Sequence, residues 1–192
     1  MTSALVAAER NTRSVTALDE VEMISPGSQL PEPWMRGPIA GVHPISVPLL
    51  HSFSMVREDL ELWTAHLSAE QLWARPMNLQ SVGIHIRHIG GSSERLATYL
   101  KGEQLSESQL VEMKNEMEVG ASREELFARL EERLLHVEAI VKAIDPRTWN
   151  DLRSVGRKRL PTTVGGLVTH IAEHSQRHLG QAIVTAKIVA LR

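Results

Sequence analysis

His170, His174 and His178 stand four residues apart in the segment His170-Ile-Ala-Glu-His174-Ser-Gln-Arg-His178-Leu-Gly-Gln181, which otherwise reads as a helix facing a core. Residues four apart on a helix lie one above the other on the same face. Two neutral imidazoles placed this way can converge on one divalent metal ion. A third ligand from another helix would complete a site with a coordination position left open. The competing reading is a set of core histidines satisfied by hydrogen bonds, yet two buried imidazoles without a shared partner are costly. The chain has no cysteine, which excludes disulfides, thiolate nucleophiles and cysteine-based zinc sites. Any metal must therefore use imidazole, carboxylate or water.

The elements that would carry these residues follow from patterning. At 192 residues the chain fits one domain with a sizeable core, and its formal charge of −2 gives no field favouring nucleic acid or an anionic membrane. No nucleic-acid motif stands out, so no duplex binding is expected. No apolar run spans a bilayer, and Met1 to Ala8 lack the basic start and long apolar stretch of a signal peptide. A cytoplasmic protein without a membrane partner is the expectation.

Six of the nine prolines fall between Pro26 and Pro48. Proline fixes φ and removes a donor, so this stretch is no continuous helix or central strand. Residues 1–45 read as an N-terminal proline-rich arm with a short helix before Pro26. Its Leu30, Trp34, Met35 and Ile39 suggest partial packing on the main body. From residue 46 the pattern changes. Leu49, Phe53, Val56, Leu60, Trp63 and Leu67 form the seam of a long amphipathic helix, with Pro48 in its first turn. Ser68 and Gln71 make a capping-box signal for a short helix ending before Pro76.

A second long helix starts near Ser81, with Val82, Ile86, Ile89, Leu96 and Leu100 inward and Gly102 as its stop. Gly90-Gly91 in its middle costs roughly 1 kcal/mol each against alanine, which suggests close approach of a neighbouring helix or a ligand. Ser122 and Glu125 cap a third long helix, ended by Asp145-Pro146, and Thr162 or Thr163 caps a last one. Segment 101–121 resembles a crossover more than a tight turn, and 147–161 reads as a connection. No internal repeat and no convincing strand appear. The expected fold is all-α, a four-helix bundle over residues 46–192, its helices antiparallel in the main.

Helical geometry ranks the histidines. At about 100° per residue, His178 falls inside the apolar stripe around Val164 and Ile171, and His174 falls on its edge. His170 points roughly 100° away from the stripe, towards a pocket rim or solvent. The second long helix offers His85 and His88, and periodicity favours His85, nearer Val82 and Ile89. His51 sits beside the seam of the first helix and is a further rim candidate. His43, His66 and His136 read as solvated or structural. Glu173 and Gln181 are the nearby candidates for an orienting group or general base. Arg157-Lys158-Arg159 could hold a carboxylate of a small substrate, or form a solvated loop.

Ser81-Val82, then His88-Ile89, and later His174-x-x-x-His178-x-Gly180-Gln181 resemble the DinB/YfiT-like superfamily of metal-binding four-helix bundles, over residues 47–191. The proline-rich arm lies outside that likeness. The resemblance implies a three-histidine site, carried over by position to His88, His174 and His178, against the periodicity that favours His85. It also implies a divalent metal such as nickel, zinc or manganese, and a homodimer. Relatives include thiol-dependent transferases and isomerases that use bacillithiol or mycothiol. A small-molecule substrate, a low-molecular-weight thiol among the candidates, is then the expected partner. A metal-dependent transferase, isomerase or hydrolase is one expectation. A non-catalytic, stress-associated binding or scaffold protein with a structural histidine or metal site is the other. Because imidazole binds metal only when deprotonated, affinity is expected to fall between about pH 7 and 5.

Overall fold

The structure, a computed structural model, describes residues 30–191. The account below concerns the unit beginning at Pro31. The short helix expected before Pro26 lies outside the described residues. Helices form where capping signals meet apolar periodicity. Helix α1 (Val47–Thr64) carries Pro48 in its first turn, and the short α2 (Ala69–Trp73) opens on the Ser68/Gln71 capping box. Helix α3 (Val82–Leu100) begins where the Ser81 hydroxyl accepts from the Ile84 amide. It stops at Gly102, whose φ of +84° suits the left-handed turn that glycine adopts without strain. Helix α5 (Arg123–Lys142) opens on the Ser122/Glu125 box, and α6 (Val164–Ala190) on the Thr163 hydroxyl.

Two elements depart from the sequence reading. The crossover contains a helix, α4 (Glu107–Lys114), with its own Ser106/Gln109 capping box. It buries none of its residues, so it leaves no apolar stripe in the sequence. The connection after α5 holds an antiparallel hairpin, β1 (Leu152–Val155) and β2 (Leu160–Thr163), where no strand was expected. Each strand has only four residues, Leu152 and Leu160 are exposed, and Pro161 sits inside β2, so period-two burial is missing.

Cross-helix contacts fix the directions of the four long helices. Gln80, His85 and His88 meet Thr185, His178 and His174 in turn, so α3 and α6 run antiparallel. Ser46 meets Val141, Arg57 meets Glu131 and Glu138, and Glu61 meets Arg123, so α1 and α5 are antiparallel too. Ser52 bonds Ala172 and Gln176 while Lys187 stacks on Trp63, which makes α1 and α6 parallel. The order is therefore up, down, down, up. The 101–121 segment is the crossover that the sequence suggests: it returns the chain so that α3 and α5 run in the same direction, while the other neighbouring pairs are antiparallel or, for α1 and α6, parallel.

The core is drawn from all four: Phe53 and Leu60 of α1, Ile86 and Ile89 of α3, Leu134 and Val137 of α5, and Ile171 and Ala182 of α6 are fully buried. Gly90 lets α5 approach; an added Cβ there would stand 3.2 Å from Arg133 Cδ and 3.5 Å from Leu130 Cα. From the arm, Pro33 is buried and Arg36 pairs with Glu58 of α1 at 2.6 Å. Trp34 and Met35, expected to help the arm pack, are instead exposed. Among the described residues no helix is long and apolar enough to cross a membrane.

The start of α6 is a sensitive point. The Gly165 amide bonds the Trp149 carbonyl at 2.9 Å, and a Cβ on Gly165 would run into the Trp149 indole. Gly165→Ala is expected to destabilise the fold by about 1–3 kcal/mol through overpacking. Thermal denaturation checks this, and an unchanged melting temperature would show that the indole yields without cost.

Candidate metal centre

His88 projects from α3, and His174 and His178 from α6. Each offers one ring nitrogen, and these three atoms lie within 4.8 Å of one another. His88 Nε2 faces His174 Nε2 at 2.9 Å, and His178 lies edge-on to both rings, with centroids 4.4 Å and 4.5 Å away. His85, one turn before His88, stands behind His178 with the two Nδ1 atoms 3.3 Å apart. At 6% exposure it is the most enclosed of the four, whereas the other three are half-buried and reach solvent. Periodicity was right that His85 is nearer the core. For that reason it is a supporting residue in this geometry, with no place at the mouth.

His85, His174 and His178 are poor bases here. Burial first, then the nearby His178, His88 and His170, hold His174 down to about 4. Burial and the neighbouring His88 do the same for His178, and burial with His178 and His88 for His85, each to about 4. Neutral imidazole is the form that binds metal. Each neutral ring brings one proton for two nitrogens. The His88 Nδ1 proton is directed at the Glu116 carboxylate, 2.9 Å away, so its Nε2 presents a lone pair to the cluster. His174 Nδ1 is buried with no hydrogen-bond partner among the described residues. Three neutral rings carry three lone pairs and three N–H groups; with one N–H given to Glu116, the lone pairs outnumber the donors left in the cluster, which fits a divalent cation held by nitrogen ligands.

The DinB superfamily model matches residues 52–182. This chain belongs to the DinB superfamily. A comparison with curated proteins finds no match. The matched span holds α1 from its second turn and all of α3 and α5. It also takes in α6 as far as Ala182, so every histidine of the cluster lies within it.

The other candidates in this DinB-superfamily chain fall elsewhere. His170 is half-exposed, with Nδ1 2.8 Å from Glu173, and its ring centre is 5.4 Å from that of His174. That is a rim position. Glu173 is itself exposed and shared between His170 and Arg177, and Gln181 is exposed with no side-chain hydrogen bond among the described residues. His51 lines a separate cavity of about 350 Å³ with Trp34, Val42 and Pro48, and no other histidine borders it. Arg157, Lys158 and Arg159 form the exposed turn of the hairpin.

A cavity of about 650 Å³ lies between α3, the α4 segment and α5, and none of the histidines lines it. The chemistry of the ring nitrogens is the better guide to the site. Cavity and cluster share one neighbour, Glu116, which borders the cavity and touches His88. The sequence reading passed over Glu116. It lies 28 residues from His88, in the turn just after a helix with no buried residue, and no spacing rule connects the two.

Proposed function

We propose that His88, His174 and His178 hold one divalent metal ion, and that the protein is a metal-dependent enzyme acting on a small molecule, by transfer of a thiol or by hydrolysis. The observation that carries this reading is the meeting of three half-buried imidazoles, with His174 and His178 held neutral and the buried His174 Nδ1 without a hydrogen-bond partner among the described residues. When bound, such an ion supplies Lewis acidity that brings the pKa of a water or thiol towards neutrality. The chain's own residues do the rest. His174 and His178 stay neutral because burial disfavours their charged forms. Solvent reach at His88, whose side chain is 26% exposed, leaves a path for a small molecule. With no cysteine in the chain, the nucleophile comes from outside, as water or as a low-molecular-weight thiol. Nickel, zinc and manganese are all compatible with three nitrogens, and a homodimer is the assembly the family likeness favours.

A non-catalytic reading, a binding or scaffold protein with a structural metal, draws support from one feature. Neither Glu173 nor Gln181 touches the cluster, and Glu116 is already engaged by His88 and Arg95. Metal analysis of protein purified without a polyhistidine tag is the first test, with about one divalent ion per chain expected. An exchangeable ligand position, detected as azide or thiol perturbing the spectrum of the cobalt-substituted protein, supports the catalytic reading. A closed site whose loss on chelation costs only stability supports the structural one.

A further inference from the structure

Glu116 lies just past the end of α4, yet it is among the best-held carboxylates in the molecule. One oxygen, Oε2, accepts from His88 Nδ1 at 2.9 Å, and the other, Oε1, accepts from Arg95 Nη2 at 3.0 Å. The Glu116 and Arg95 side chains are each only 12% exposed. The backbone is held as well. Arg87 of α3 directs Nη1 at the carbonyls of Asn115, Glu116 and Glu118, and its guanidinium lies over the Trp73 ring, 5.3 Å from the centroid. Gly91 clears the space. A Cβ at that position would stand 2.9 Å from Arg95 Nη1 and 3.0 Å from Glu116 Oε1. Arg87, His88, Gly91 and Arg95 thus share one side of α3, turned to the segment that delivers this carboxylate.

We propose that Glu116 is the positioning residue of the centre: it fixes the His88 ring and its Nδ1–H tautomer, so that the Nε2 lone pair faces His174 and His178. The metal part of this inference rests on the function proposed above; the tautomer part does not. An ionised carboxylate only accepts, so the ring nitrogen it faces must carry the proton. In a neutral imidazole the other nitrogen is then bare, and the carboxylate also raises its strength as a donor of electrons to a cation. Arg95 keeps the carboxylate from rotating away. The Gly90-Gly91 pair therefore has two separate jobs, Gly90 admitting α5 and Gly91 admitting the Arg95–Glu116 pair.

Nitrogen-15 NMR of the metal-free protein at neutral pH reads the tautomer directly, with melting curves confirming that each variant folds. Wild type is expected to show His88 protonated on Nδ1 alone. Glu116→Gln, whose amide oxygen still accepts, is expected to keep that tautomer, and Glu116→Ala to shift it towards Nε2–H. In parallel, zinc titrated against a competing chelator should bind about 10–100-fold more weakly to Glu116→Ala than to wild type, with Glu116→Gln between them. His88 protonated on Nε2, or on both nitrogens, in wild type overturns the proposal. So does a Glu116→Ala variant with unchanged tautomer and zinc affinity. If the tautomer responds as expected but wild type takes up no zinc, the positioning of His88 by Glu116 stands and the metal reading falls.

Discussion

His178→Ala is expected to lose the metal outright while keeping the fold. His178 lies edge-on to both His88 and His174, so its removal takes one of the three nitrogens from the proposed site. Outer carboxylate partners of metal-bound histidine are worth about 10–100-fold in affinity, and a ligand itself is worth more, so a loss of at least about 100-fold is expected. Stability should respond in the other direction from an ordinary core truncation. The metal-free cluster sets several depressed imidazoles against one another, and removing one relieves that crowding at acidic pH. Elemental analysis and chelator competition check the first point, and circular dichroism with a melting curve checks the second. His170→Ala should keep the ion, because its ring is half-exposed and engaged with Glu173. If His170→Ala loses the metal while His88→Ala retains it, the ligand set is wrong. Retention of full metal content by a folded His178→Ala protein would refute the centre altogether.

The histidine pair on α6 was legible because i, i+4 spacing is a property of the helix itself. Nothing about the neighbours is needed to see that His174 and His178 share a face. The choice on α3 was not legible by the same means. Periodicity finds the residue nearest the core, and it found His85, which is the most enclosed. A ligand at an accessible centre sits instead on the edge of the apolar stripe, where solvent and a polar partner can reach it, and His88 has that place. The motif likeness pointed to His88 because it compares positions and does not depend on burial. Helix α4 escaped notice for a related reason. Its Ser106/Gln109 box is in the sequence, but with no buried face there is no period to find. Glu116 depends on that element, so it became visible only once the crossover was folded back onto α3.

On acidification the metal-free protein is expected to lose stability steeply between about pH 6.5 and 4. The folded-state values of His85, His174 and His178 are held down to about 4, chiefly by burial and then by neighbouring charges that include His88 in each case, while an unfolded histidine titrates near 6.5. Between those values the unfolded chain binds protons that the folded chain refuses. Stability therefore rises with pH across the window and falls as pH drops through it. Well above about pH 6.5 all three rings are neutral in both states, and this source of pH dependence vanishes. The same depression moves metal binding away from what spacing alone suggests. Protons compete at His174 and His178 only well below neutrality, so affinity should hold to a lower pH than the range of about 7 to 5 expected for unperturbed imidazoles. Urea denaturation of metal-free protein at half-unit pH steps, repeated with saturating zinc, tests both statements. A bound ion stabilises the folded state by mass action, so the zinc curve should lie above the metal-free one and converge with it only at the acid end. A metal-free stability that stays flat from pH 7 to 4.5 would mean that the imidazoles are not held neutral by their surroundings. The site would then lack the property that prepares it for a cation.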